Sequence, residues 1–428
     1  MKKNNHFWNT LLSIIATACI GLGAGISAWG FQILAGWIFQ SGIEVSSNFS
    51  FWTFAPLAFL LTVGGALIAG FIMSKYAPEA AGSGIPQVKK AYAKGQFDFS
   101  WNLLWVKFFA GSLSIGTGSS LGREGPTIHI GAAIASKIAS FFKESEEAKA
   151  NAVCAGSAAG LAAAFNSPLA GVTLVLEEIS EGHGLDKYAG RSLFASAIAV
   201  CVIFLLTGNK AALPLPEDLP LKWEVLWLAP VVALFTSCFG VFFQWATLSL
   251  RERFKLSNFP LWMRPGMGAI ASVCFCLLAF AFTSRLGAFG LGEIDLLHVL
   301  NNQLIWQSAA WLLAAKLFAT IFSYGSGGCG GIFAPLIFMG GMAGAVVFGL
   351  THSVFDLDPF DQTLLSMIGM TAALGSVVRA PLTSIIIVFE MTRQIQVLPA
   401  LMIASVISVF INTLFFRDNF YQSSLSVK

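Results

Sequence analysis

One carboxylate in an apolar stretch carries the chemistry around which this chain is read. It is Glu124, within Gly122-Arg123-Glu124-Gly125-Pro126. The glycines loosen the backbone and the proline suits a first helical position, so the spacing predicts a helix starting here. The first turn of a helix holds unsatisfied N–H groups and partial positive charge, which together attract an anion. A carboxylate supplied by the chain can fill such a site when ionised and leave it when protonated. The chemistry on offer is an acid-operated gate over an anion site.

Two further segments share the Gly-x-x-x-Pro form: Gly82-Ser83-Gly84-Ile85-Pro86 and Gly331-Ile332-Phe333-Ala334-Pro335. Three helix N-termini meeting at one place would offer N–H donors without a full cation. A buried Lys or Arg would hold a permeating anion too tightly to release it. The plain alternative is that these glycines only pack helices closely, as small residues often do in membranes. A second acidic feature, Glu177-Glu178, closes another apolar run. An ionisable residue inside a membrane is costly and marks a functional site by default. At Glu124 desolvation favours the protonated form and helix-terminal N–H donors favour the ionised form, so its proton can be traded against anion occupancy, while Glu178 at its helix end can receive protons from the cytoplasm.

The elements that must position these groups are membrane helices. The chain has 428 residues, 56% hydrophobic and 11% charged, against roughly 25% charge in a soluble domain. Residues 7–43 contain no Lys, Arg, Asp or Glu, more than the about 20 residues a span needs. That run is too long for the core of a signal peptide and is read as a retained first span. Lys2 and Lys3 favour a cytoplasmic N-terminus. Apolar segments recur to about residue 416, several shorter than a full span and separated by Gly/Pro breaks. Charged connections fall near 75–95, 143–149, 177–191, 209–222, 251–256 and 355–361. Irregular backbone at membrane depth is tolerated only where protein buries it or it lines a cavity, which points to a transporter or channel. A net charge of +3 does not suggest nucleic acid. Seven scattered cysteines without CxxC spacing and five histidines without a ligand pattern imply no metal and no cofactor.

An internal repeat organises the chain. At a shift of 209 residues, Ser114–Gly131 lies over Ser323–Gly340 with seven of 18 positions identical, among them Gly122/Gly331 and Pro126/Pro335. Lys107 and Lys316 align at the same shift; Pro168 and Glu177 match Pro381 and Glu390 at 213. Two related halves follow, 1–210 and 211–428, with no soluble C-terminal domain expected. Such repeats commonly place a substrate site at their interface, where broken helices meet.

GSGIP at 82–86, GREGP at 122–126 and GIFAP at 331–335, in this order, resemble the signature segments of the CLC chloride channel and transporter family. Gly160–Glu178 and Arg379–Thr383 resemble its bacterial members, and the resemblance runs from about residue 10 to Tyr421. It implies an all-α polytopic fold of two inverted, antiparallel repeats, and a homodimer with one pore per subunit. It implies a central chloride held by the hydroxyls of Ser83 and Tyr421 and the N–H groups of Ile332 and Phe333. The N–H groups around Arg123–Gly125 would form an outer site. Glu124 matches the external gating glutamate, and Glu178 the internal proton-transfer glutamate of the exchangers; Glu390 matches a structural position. The expected activity is chloride/proton antiport, not an enzymatic reaction, in a bacterial inner membrane.

Some positions depart from the family pattern. Cys329 stands where relatives often have proline, and His129 where glutamine is frequent. Lys89 stands where some exchangers carry an acid; near Glu178 it would favour the ionised carboxylate. A passive chloride channel of the same family is the nearest alternative, and Glu178 tips the balance towards exchange. Fluoride export is disfavoured by Ser83 and the Tyr421 region, and nitrate preference by the lack of proline at position 83. An intramembrane hydrolase using Ser157 or Ser83 has no supporting local motif.

Overall fold

The computed structural model describes residues 2–180, 185–215 and 221–426. Parts of the charged connections near 177–191 and 209–222, and the side chains of Lys2 and Lys3, lie outside the described residues. The first half comprises α1 (Lys2–Phe39), α2 (Val45–Ser47), α3 (Phe51–Tyr76), α4 (Ile85–Lys94), α5 (Trp101–Gly116), α6 (Glu124–Phe141), α7 (Glu146–Phe165), α8 (Pro168–Leu174) and α9 (Leu185–Thr207). The second comprises α10 (Trp223–Leu256), α11 (Arg264–Thr283), α12 (Glu293–Leu300), α13 (Trp306–Gly325), α14 (Phe333–Phe355), α15 (Pro359–Val378), α16 (Pro381–Thr392), α17 (Leu398–Phe415) and α18 (Phe420–Ser426). No strand occurs among the described residues.

Eight helical stretches among the described residues are long and apolar enough to cross a membrane. The helices on the outside expose large apolar side chains such as Trp37, Leu60, Trp227 and Phe410, as lipid-facing surfaces must. The helices that carry the motifs lie inside. Along α14 every residue from Phe333 to Val347 is buried, so the broken backbone at its start is shielded from lipid.

The interior is tight because glycines face each other across helix pairs. A Cβ on Gly131 would stand 2.2 Å from the carbonyl oxygen of Gly156, which brings α6 onto α7. A Cβ on Gly340 would stand 2.2 Å from that of Gly369, which brings α14 onto α15 in the same way. Helix ends are capped locally where side chains permit: Ser100 Oγ accepts from Leu103 N, and Asp358 and Asp361 form a reciprocal box at the start of α15.

One boundary differs from the sequence expectation. The helix expected to open at Pro126 opens at Glu124, with Pro126 its third residue; Pro335 has the same place in α14. The first four N–H groups of a helix have no intrahelical partner, so proline is tolerated throughout that turn. The connection near 75–95 contains α4, which starts at the Gly82–Pro86 break as the sequence predicts.

The cations are unevenly shared between the two ends of the bundle. Lys75, Lys94, Lys143, Arg253, Lys255 and Arg264 fall at the end where α3 and α10 finish and α11 begins, hereafter the basic end.

Candidate anion pathway

The three Gly-x-x-x-Pro segments meet. Gly122 and Gly331 form an antiparallel bridge, each N–H donating to the other's carbonyl at 2.8 and 2.7 Å. Gly82 N donates to Gly328 O at 3.1 Å, and Gly330 N donates back to Gly82 O at 3.3 Å. Gly125 sits so close to Ser83 that a Cβ there would come within 2.7 Å of the Ser83 carbonyl oxygen. The starts of α4, α6 and α14 therefore converge on one buried region, through contacts only glycine backbones permit.

Glu124 turns back into this region. Its side chain is fully buried; Oε1 accepts from the backbone N–H of Ala334 at 3.2 Å, and Oε2 has no hydrogen-bond partner. A Cβ on Gly122 would stand 2.1 Å from Oε1, and one on Gly331 would stand 2.5 Å from the same oxygen. The carboxylate lies in the gap left by two missing side chains, against the first turn of α14. It occupies the position that a helix N-terminus would give a free anion.

Ser83 precedes α4 and is fully buried; its Oγ accepts from Ile85 N at 3.3 Å and from the Tyr324 hydroxyl at 3.5 Å. Tyr421, at the start of α18, is also fully buried, with its ring stacked on Phe333 at 6.4 Å. Its hydroxyl has no hydrogen-bond partner. Ile332 is the N-cap of α14 and Phe333 its first residue, so the helix start lies beside the tyrosine. Arg123 sends its guanidinium elsewhere: it bridges to Glu293 at 2.7 Å and donates Nε–H to Ala164 O at 3.2 Å. Only its backbone is left at the convergence.

Glu178 is separate from this cluster and nearer the basic end. It sits in a π-helical turn, Val175–Ile179, that continues α8. Oε1 pairs with Lys89 Nζ at 2.9 Å, Oε2 accepts from Asn419 Nδ2 at 2.7 Å, and both charged groups are buried. The proximity raised for Lys89 from the sequence is thus met. Its neighbour Glu177 points the other way and caps α16, accepting from Leu382 N and Thr383 N at 2.9 and 2.8 Å. Glu390 does the same for α8, accepting from Leu169 N and Ala170 N at 3.1 and 2.9 Å.

Several residues at the site were not assigned roles from sequence. Lys107 is fully buried and donates to the carbonyls of Ala80 and Gly82 at 2.8 and 2.5 Å, fixing the loop that presents Ser83. Cys329, one of the departures, directs its thiol to that same Ala80 carbonyl at 3.4 Å. Lys316 donates to Gly287 O at 3.1 Å and Gly290 O at 2.6 Å on the opposite side. A lysine amid an apolar helix was the available signal for both. Tyr324 and Asn419 carried no local signal. His129, the other departure, packs against the Gly84 backbone and edge-on to Phe99, with ring centroids 5.7 Å apart.

Residues 64–413 match the family described as Voltage gated chloride channel. The chain is 29% identical over 395 residues to the H(+)/Cl(-) exchange transporter ClcA of Klebsiella pneumoniae, covering 91% of this chain and 83% of that one. It is 33% identical over 388 residues to the protein of that name from Vibrio cholerae, covering 87% and 82%. Among solved structures it resembles a slow cyanobacterial Cl-/H+ antiporter, with a TM-score of 0.84, 24% identity and 97% of each chain covered. A CLC-type fluoride/proton antiporter superposes with a TM-score of 0.78 at 24% identity, over 97% of this chain and 98% of that one. These two likenesses establish the fold: inverted helical halves meeting at broken helices.

Proposed function

Because the chain belongs to the voltage-gated chloride channel family, we propose that it is a chloride/proton antiporter embedded in a membrane. The observation that carries the reading is the Glu124 carboxylate lodged at the first turn of α14. An ionised Glu124 competes with chloride for those N–H groups; a protonated one has no charge with which to compete. Anion arrival and proton uptake are thereby linked at one position. The similarity to exchange transporters over most of the chain supports the same reading.

In this mechanism chloride rests between the hydroxyls of Ser83 and Tyr421 and the N–H groups of Ile332 and Phe333. A second position uses the N–H groups around Arg123–Gly125, which is the position Glu124 takes or yields. Glu178 passes protons at the basic end, and that end faces the cytoplasm because Lys and Arg are retained on that side. The halves divide near 1–210 and 211–428. Two copies form a homodimer with one pathway each, in a bacterial inner membrane. Transport, rather than hydrolysis at Ser157 or Ser83, is the work of the site.

A passive chloride channel is the second reading, and one observation favours it: the Lys89 and Asn419 contacts hold both oxygens of Glu178. Proton movement in sealed proteoliposomes under a chloride gradient separates the two. Antiport gives uphill proton movement in the wild type, lost in Glu124→Ala and Glu178→Ala while chloride flux survives. Chloride flux without coupled protons in the wild type would make the protein a channel.

A further inference from the structure

Glu178 and Tyr421 are joined through one side chain, Asn419. It is the residue before α18, and its Oδ1 accepts from Gln422 N at 2.9 Å, the N-cap bond of that helix. With the oxygen so engaged, the amide nitrogen is the end that faces the carboxylate. It donates to Glu178 Oε2 at 2.7 Å. Glu178 Oε1 is paired with Lys89 on α4. The carboxylate thus spans two helices: α4, which follows Ser83, and α18, which carries Tyr421.

What α18 positions is the anion site itself. A helix of seven residues, Phe420–Ser426, cannot hold its own shape, so its cap and its packing fix it. Tyr421 is its second residue, with its ring on Phe333 and its hydroxyl without a hydrogen-bond partner. Phe420, also fully buried, lies 5.9 Å from the Phe243 ring and 5.5 Å from the Tyr324 ring. The Tyr324 hydroxyl in turn donates to Ser83. A shift at the start of α18 therefore reaches both hydroxyls assigned to chloride. The charges around Glu178 among the described residues include Lys89, Glu177 on the same turn, and Arg379 with Asp418 beside it. Glu177 faces α16, and Arg379 donates to the carbonyls of Phe416 and Arg417 at 3.3 and 3.0 Å. Of the polar groups named here, Asn419 alone bonds both Glu178 and the backbone of α18.

A hydrogen bond to an ionised carboxylate is roughly twice as strong as one to a neutral partner. We propose that Asn419 is a positioning residue that carries the charge state of Glu178 to the chloride site. With Glu178 ionised, the bond holds α18 and its Tyr421 hydroxyl against the anion. With Glu178 protonated, the bond weakens and chloride is held less tightly. The inference rests on the antiporter reading for where chloride sits and for the proton on Glu178. A proton arriving from the basic end then eases chloride out towards that end, the sense that exchange requires. Direct electrostatics act the other way: an ionised Glu178 repels chloride, so removing its charge would by itself tighten binding. The two routes differ in sign, and only one runs through Asn419.

The test is a double-mutant cycle on chloride affinity, read by calorimetric titration of the full chain in detergent. Glu178→Gln takes the place of the protonated acid. In the wild-type background it is expected to weaken chloride binding several-fold. In the Asn419→Ser background it is expected to leave binding unchanged or to tighten it. Serine keeps a capping oxygen for α18 on a shorter side chain, so the thermal midpoint of Asn419→Ser stays at the wild-type value. Asn419→Gly, also tolerated at an N-cap, has no side chain and gives the same pattern. Asn419→Ala removes cap and link together. Chloride affinity lost in Asn419→Ala but kept in Asn419→Ser and Asn419→Gly would make Asn419 a helix cap only and overturn the proposal. An equal effect of Glu178→Gln in both backgrounds, or no weakening in the wild-type background, also overturns it. In sealed proteoliposomes, Asn419→Ser moves fewer protons per chloride than the wild type. An Asn419-dependent change of affinity in a protein that moves no protons would uphold the link and remove the antiporter reading.

Discussion

The two halves of the molecule share a scaffold and divide the chemistry unequally. In the first, Lys107 grips the carbonyls of Ala80 and Gly82; in the second, Lys316 grips those of Ala288 and Gly290, at 3.5 and 2.6 Å. Gly84 and Gly292, both left-handed at φ 98° and 80°, then open α4 and α12. Yet the loop residue between clamp and helix is Ser83 in one half and Leu291 in the other. The residue that opens α6 is Glu124, whereas its counterpart opening α14 is Phe333. The Glu124 carboxylate crosses to the helix start of the other half, and the Glu293 carboxylate of the second half crosses back to Arg123. Backbone support is needed twice, because each half must bury a broken helix. On the proposed function a polar pathway is needed once, so the second half is free to place apolar side chains where the first places hydroxyl and carboxylate.

The largest effect expected from testing this comparison is on stability. Lys107→Met and Lys316→Met each strip a charged donor from at least two buried carbonyls, which costs on the order of 3 kcal/mol. Equal losses in detergent denaturation would support matched clamps; a neutral Lys316→Met would break the parallel. Next come the crossed caps. Glu177→Ala uncaps α16 and Glu390→Ala uncaps α8, each costing about 1–2 kcal/mol in the same assay, and a large difference between them would show that the swap is not symmetric.

A smaller and one-sided effect sharpens the chemical difference. Ser83→Ala weakens chloride binding about tenfold, the loss of one hydrogen bond to an ion, while Leu291→Ala leaves it unchanged. Calorimetric titration of chloride reads both, and equal affinities in the two variants would remove Ser83 from the pathway. The smallest effect is on Lys89. Lys89→Gln shifts the pH profile of coupled proton movement with little change in chloride turnover; an unmoved profile would mean that the pair with Glu178 is only structural.

Much of this was legible along the chain because helix breaks are local events. Glycine and proline dictate backbone conformation within a few residues of themselves, so the three broken starts and the repeat that relates two of them stood out in the sequence. Glu124 and Glu178 were legible for a related reason: charge in an apolar run is expensive wherever it falls. The eight-residue α12 was not legible, since it is far too short to show as a span.

The sequence by itself determined where the helices break, which carboxylates enter the membrane, and that one half repeats the other. Only the tertiary structure decided which groups meet. Lys89 reaches Glu178 across 89 residues, Arg123 reaches Glu293 across 170, and Tyr324 reaches Ser83 across 241. The same holds for Asn419, which meets Glu178 only in the packed bundle. Backbone preference acts between neighbours in the chain; charge pairing acts over a few ångströms of space, and packing alone converts one kind of distance into the other.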